Sequence, residues 1–168
     1  MTKLTGKICP EAPNFTWEEV FRSTTADKHK IDNTVISNEC INNVINTAKM
    51  MQKVRALFNK DSNNPHVIQV SSWYRCPALN NAVGGTKTSH HVLGMAVDFS
   101  VIEKKTGRKL TIKETCQAII DSGLPFTQLI DEYASWTHIS FQESNYKKQV
   151  LTFRRNSSGV TIKTPGLK

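Results

Sequence analysis

The stretch "TSHHVLGMAVDFSV", residues 88–101, limits the folds open to this chain more than any other. From Gly94 to Val101 it reads as a strand, with Met95, Val97, Phe99 and Val101 on one face and Ala96, Asp98 and Ser100 on the other. A carboxylate inside so apolar a strand is costly unless it is paired or bound to a metal. Asp98 therefore needs an answer from elsewhere in the chain. Two histidines, His90 and His91, stand just ahead of it.

A second strand offers another histidine. In "WTHISF", alternation puts Trp136, His138 and Ser140 on one face and Thr137, Ile139 and Phe141 on the other. Two strands that each present a metal-competent side chain on a polar face can share a cleft, and the loop with His90 and His91 ends beside Asp98. Two imidazoles and one carboxylate form a three-ligand set for a catalytic zinc, with the fourth position left to water. The metal lowers the pKa of that water to about 7. A lone histidine near a strand end is also a common structural residue, so spacing alone leaves both readings open.

The surrounding pattern reads as α+β. "FTWEEVFRS" has Thr16 followed three residues on by Glu19, a capping box, and "TIKETCQAIIDSG" repeats it with Thr111 and Glu114. Gly123 and Pro125 stop that second helix. Ile41, Val44, Ile45, Ala48, Met51, Val54 and Phe58 recur at helical spacing, so a longer helix is expected from about Ser37 to Asn59, ended by "DSNNP". "HVIQVSSW" reads as a strand and "CPALNNAVGGTKTSHH" as a long polar loop. "QLIDEY", "WTHISF" and "QVLTFR" are short strands close in sequence, which suggests a small antiparallel sheet with helices mainly on one side. With 168 residues and no repeat or low-complexity linker, a single domain over 1–168 is expected.

Composition matters mainly through charge. The chain has 22 Lys+Arg against 14 Asp+Glu, a net +8, and six bases oppose one acid between Glu143 and Lys168. A basic end of that kind, 143–168, suits an anionic cell-wall polymer or nucleic acid, or is simply solvated. No helix-turn-helix, RNA-recognition or zinc-finger signature accompanies it, which argues against nucleic acid. Cys9, Cys40, Cys76 and Cys116 lie far apart with no C-x-x-C pair, which argues for reduced packing thiols over a disulfide framework or a thiolate zinc knuckle. "MTKLTGKICPEAPNFTW" holds no apolar run suited to a signal peptide, and no segment reads as a membrane span. Synthesis in a cytosol, with release by other means, is expected.

"SHHVLGMAVD" (89–98) resembles the S-x-H-x-x-G-x-A-x-D motif of the zinc D-alanyl-D-alanine carboxypeptidases and related phage murein peptidases, which share the fold of the Hedgehog signalling domain. Ser89, His91, Gly94, Ala96 and Asp98 fill every fixed position. "SSWYRCPALNNAVGG" (71–85), "QLIDEYASWTHISF" (128–141) and "NFTWEEVFRSTTADKHKIDN" (14–33) are similar to flanking blocks of that family, so the resemblance spans residues 14–141. It implies one Zn²⁺ held by His91, Asp98 and His138, and leaves His90 in a variable slot. It further implies Glu132 as general base, with Asp131 the rival that a regular strand turns the other way. Arg75 is implied to bind the scissile carbonyl or a substrate carboxylate, and Ser89 and Trp136 are expected to contact substrate as well.

Two departures stand out: Trp73 replaces the family's glycine before the tyrosine, and Cys76 the serine after the arginine. Trp73 is expected to narrow the cleft or pack beneath it, and Cys76 to be a small packing residue. His29, in the 14–33 block but far from the motif, and His66, between blocks, are expected at the surface or in local hydrogen bonds. The implied activity is hydrolysis of peptidoglycan peptides by a monomer, as a phage or prophage lysin that reaches the wall after release. The rival is a metal-binding but non-catalytic module of a phage particle with the same fold.

Overall fold

In the computed structural model, which describes residues 4–168, five helices and six strands follow one another as a mixed α+β chain. The order is α1 (Trp17–Phe21), α2 (Thr24–His29), α3 (Asn38–Leu57), β1 (His66–Ser72), α4 (Pro77–Ala82), β2 (Ala96–Glu103), α5 (Ile112–Asp121), β3 (Gln128–Glu132), β4 (Trp136–Ser140), β5 (Gln149–Arg155) and β6 (Thr161–Pro165). The chain divides into two compact units, Met1–Gln52 with Val70–Val97, and Lys53–Gln69 with Asp98–Lys168.

In the first unit, α1 starts where the capping box places it: Thr16 and Glu19 each bond the other's backbone N–H. Ser37 caps α3, accepting from the Cys40 N–H at 3.2 Å, and Val44, Ala48 and Met51 are fully buried along its apolar stripe. Two short helices lie where no helix was expected. α2 begins at a Ser23 cap, and α4 occupies part of the stretch read as a polar loop. A six-residue helix is too short to show a period. Pro77 at its first turn and the buried Leu79 are what hold α4 in place.

The second unit is built around the sheet, whose strand order is β1-β2-β4-β3-β5-β6. β3 and β4 form an antiparallel hairpin in which Ile130 faces His138 and Glu132 faces Trp136. β5 runs parallel to β3, so the sheet is mixed and not the antiparallel one expected. The reason is steric. β2 occupies the far edge of β4, so the chain leaving β4 must pair with the free edge of β3. It arrives at the start of β3, as the bonds Lys148 N–H to Phe126 and Gln149 N–H to Thr127 show, and therefore runs alongside it. β6, unforeseen, returns antiparallel on β5 through a turn closed by the Asn156 side chain.

Alternation gives this part of the sheet two different faces. Leu129, Asp131, Thr137, Ile139 and Thr152 form one, and α5 packs against β3 and β4. Cys116 of α5 lies near Thr137, Asp131 and Arg154, and burial pushes its thiol up to about 12. Asp131, buried, takes a two-pronged bond from the Arg154 guanidinium at 2.9 and 2.7 Å and accepts the Ala134 N–H. All four cysteines are free thiols, Cys76 and Cys116 buried and Cys9 and Cys40 half-buried.

Two predictions follow from these placements. Arg154→Ala strips a buried carboxylate of its fork and should lower stability by about 2–4 kcal/mol in urea unfolding, with Arg154→Lys recovering only part of the loss. Iodoacetamide at pH 8 should modify Cys9 and Cys40 in the native chain and spare Cys76 and Cys116, with mass spectrometry showing all four alkylated only in denaturant.

Candidate metal centre

His91 sits in a compact run of turns. The Val92, Leu93 and Gly94 N–H groups bond back to Ser89, His90 and His91 in succession, and Met95 N–H bonds to His90. Gly94 makes that run possible. Its φ is +73°, and a Cβ there would lie 2.8 Å from Val44 Cγ2 and 3.0 Å from the Cys40 carbonyl on α3. The backbone then turns directly into β2.

Two contacts fix His91 itself. Its carbonyl accepts the Arg75 N–H at 3.1 Å, tying the loop to "WYRC", and its Nδ1 lies 2.6 Å from the Trp73 carbonyl. A carbonyl only accepts, so Nδ1 carries the proton and Nε2 of the neutral ring keeps the lone pair that a metal requires. Trp73 therefore does not shape a cleft wall. Its ring is fully buried, edge-on to Phe15 at 5.8 Å, and its backbone orients the histidine. The Trp73 indole thus packs beneath the loop.

The "WYRC" turn is held in turn by Asn33, which sequence reasoning missed. Its side chain donates to the Phe21 and Tyr74 carbonyls at 3.0 Å each and accepts the Cys76 N–H at 2.8 Å, all while buried. An asparagine in "KIDN" carries no local signal of such a role, because its three partners lie at positions 21, 74 and 76. Cys76 is a buried packing residue, as expected of it, and also the N-cap of α4, a helix that was not expected.

In the second unit Asp98 lies in β2, whose burial is unbroken from Ala96 to Val101. Its Oδ1 lies 2.8 Å from His138 Nδ1 on β4. The exposures of His91, Asp98 and His138 are only 2%, 4% and 9%. Their candidate ligand atoms all lie within 4.8 Å of one another. Two imidazole nitrogens and one carboxylate oxygen are the donors zinc takes at about 2 Å, so the set fits one such ion. His138 answers the charge problem that Asp98 sets in β2, and the His91 lone pair gives the group a third donor that a simple His–Asp pair would not need.

The other expected site residues are placed as follows. Glu132 and Trp136 share the sheet face of His138, two residues along, and the Trp136 indole N–H donates to Glu132 Oε2 at 3.2 Å. Asp131 points to the opposite face, into the Arg154 fork. Ser89 Oγ accepts the His91 N–H at 3.3 Å, and Arg75 Nε donates to Ser72 Oγ at 2.9 Å. His90 is half-buried. His29 is exposed at the end of α2, whereas His66 is buried and not a surface residue; Asn59 pins its backbone, and its Nδ1 finds no hydrogen-bond partner among the described residues.

A family model described as Peptidase M15 matches residues 13–140, and the chain belongs to that family, which consists of zinc metallopeptidases. No curated protein matches the chain.

Titrating the purified chain with Zn²⁺ should reach one ion per chain, and a chelator should lower its melting temperature. His91→Ala and Asp98→Ala should each abolish tight binding, seen as zinc lost on desalting, while His29→Ala leaves the stoichiometry unchanged.

Proposed function

We propose that this M15 peptidase hydrolyses peptide bonds in bacterial peptidoglycan, in the manner of a D-Ala-D-Ala carboxypeptidase, with the whole chain serving as one peptidase domain. The proposal extends to the fold that those enzymes share with the Hedgehog signalling domain, and to a phage or prophage lysin that acts on the wall after release. The observation that carries the reading is the buried His91–Asp98–His138 group, built from donors suited to zinc.

His91, Asp98 and His138 would hold a single zinc ion, which when bound supplies Lewis acidity and a water of lowered pKa. Glu132 is assigned as general base: it takes a proton from the attacking water and returns it to the leaving amine. Its position supports that role, since it shares the His138 face and is half-buried, with one oxygen anchored by the Trp136 indole. Asp131 is already engaged by Arg154 on the other face. Arg75, half-buried in the turn tied to His91, is assigned to the carbonyl oxygen as it gains charge, where a planar cation is apt. Ser89 and Trp136 are assigned as substrate contacts, and the basic end at 143–168 as a hold on anionic wall polymers. No helix among the described residues is long and apolar enough to cross a membrane.

The test is digestion of purified murein sacculi by the zinc-loaded chain, read by mass spectrometry of the fragments. New amine and carboxyl ends should appear, vanish with a chelator, and identify the bond cut. Glu132→Gln should lower kcat by about 10²–10⁴-fold while zinc content stays at the wild-type value. Zinc binding without new ends under any condition would instead mark a non-catalytic metal-binding module.

A further inference from the structure

Glu132 belongs to a row that crosses four strands. It faces Trp136 on β4 and Phe153 on β5, and Phe153 faces Lys163 on β6. Residues in register on paired strands point to the same side, so these four line the face that carries His138. The row is not sealed, since Trp136 and Phe153 are half-exposed and Lys163 is exposed. The β3–β4 turn adds to it. Tyr133 and Ala134 are consecutive non-glycine residues in the left-handed region, with φ of 57° and 51°. That backbone sets the Tyr133 ring edge-on to Trp136 at 5.8 Å and to Phe153 at 6.4 Å.

The cations on this face are held differently from those on the other. Arg154 is committed to the buried Asp131 carboxylate. Its neighbour Arg155 lies over the Tyr133 ring at 5.1 Å, and Lys163 lies over Phe153 at 5.1 Å. Among the described residues no carboxylate pairs with either. Two positive heads thus stand on an aromatic floor, in the most basic part of the chain, with their charge uncompensated.

We propose that this row extends the substrate site and binds a peptide bearing free carboxylates. Arg155 and Lys163 pair with those carboxylates, and Tyr133, Trp136 and Phe153 cover the apolar part of the peptide. The inference rests on the peptidase reading and adds a requirement for anionic residues beyond the bond that is cut. Two strand spacings separate Glu132 from Lys163, roughly 10 Å, which is the reach of about three residues of extended peptide. Arg155 and Lys163 are then a specificity element of the site, and the carboxylates they take belong to the substrate itself; the hold on wall polymers assigned to the basic end falls to Lys147, Lys148 and Lys168.

The test compares wild type with Arg155→Glu/Lys163→Glu in the full, zinc-loaded chain. The probes are muropeptides released from sacculi by a muramidase, either with their carboxylates free or amidated by carbodiimide and ammonia. The double variant should raise KM for the free-carboxylate muropeptides about tenfold with kcat nearly unchanged, and leave KM for the amidated ones unchanged. Lys163→Glu alone, a single exposed change on the edge strand β6, should give about a threefold rise and guards against misfolding of the double variant. Calorimetric binding of both probes in a Glu132→Gln background repeats the comparison without turnover, so loss of the carboxylate preference is seen even if hydrolysis fails. Equal binding of free and amidated muropeptides by wild type, or an unchanged KM in the double variant, overturns the inference and leaves the peptidase reading intact. It is equally overturned if the variant loses affinity only for purified wall teichoic acid.

Discussion

A buried carboxylate in the middle of a sheet is the constraint on which the rest of this site depends. Asp98 is 4% exposed in a strand that is otherwise apolar, and an ionised group there is tolerated only with a close partner. β4 supplies one in His138, at 2.8 Å, and can do so because it is paired beside β2. An ordinary core strand would carry a valine at that position and gain stability. This chain instead keeps an aspartate there, within a His91–Asp98–His138 group able to hold a metal ion.

The supporting layer is mostly backbone. His91 takes its orientation and tautomer from the Trp73 carbonyl and its position from the Arg75 N–H, while Asn33 holds the same turn from a distant segment. Such contacts make a ligand's geometry insensitive to side-chain motion, which is what a preorganised centre requires. They also explain why position 73 tolerates a tryptophan: the group that touches the histidine is a peptide carbonyl, which any residue possesses.

The two faces of β3 send neighbouring carboxylates into different surroundings. Asp131 and Glu132 are neighbours in sequence, yet alternation sends one into an arginine fork beneath α5 and the other to the His138 face. The same division continues into β5, where Arg154 is consumed by a buried partner and Arg155 rests on an aromatic ring in reach of solvent. One strand pairing in register thus assigns four charged residues to two different tasks.

Period and capping, which act over a few residues, could be read directly from the chain. Both capping boxes, the stripe of α3, the strands β1 to β5 and the tension created by Asp98 are local patterns, whereas His91 was preferred to His90 only because the resemblance to the S-x-H-x-x-G-x-A-x-D family implied it. The parallel pairing of β5 could not be read, because it follows from which edge of β3 was still open once β2 had taken β4. The short helices α2 and α4 were equally hidden, being too brief to show a period, and β6 (TIKTP) has in Ile162 a single aliphatic side chain to mark it. The buried place of His66, the Asn33 clamp and the aromatic row under Arg155 and Lys163 depend on partners distant in sequence. Sequence by itself determined the local elements and which side chains on them are able to act as donors or acceptors. Tertiary structure alone decided which of their atoms meet, because hydrogen bonds and strand pairing between remote segments are set by packing and not by nearest neighbours.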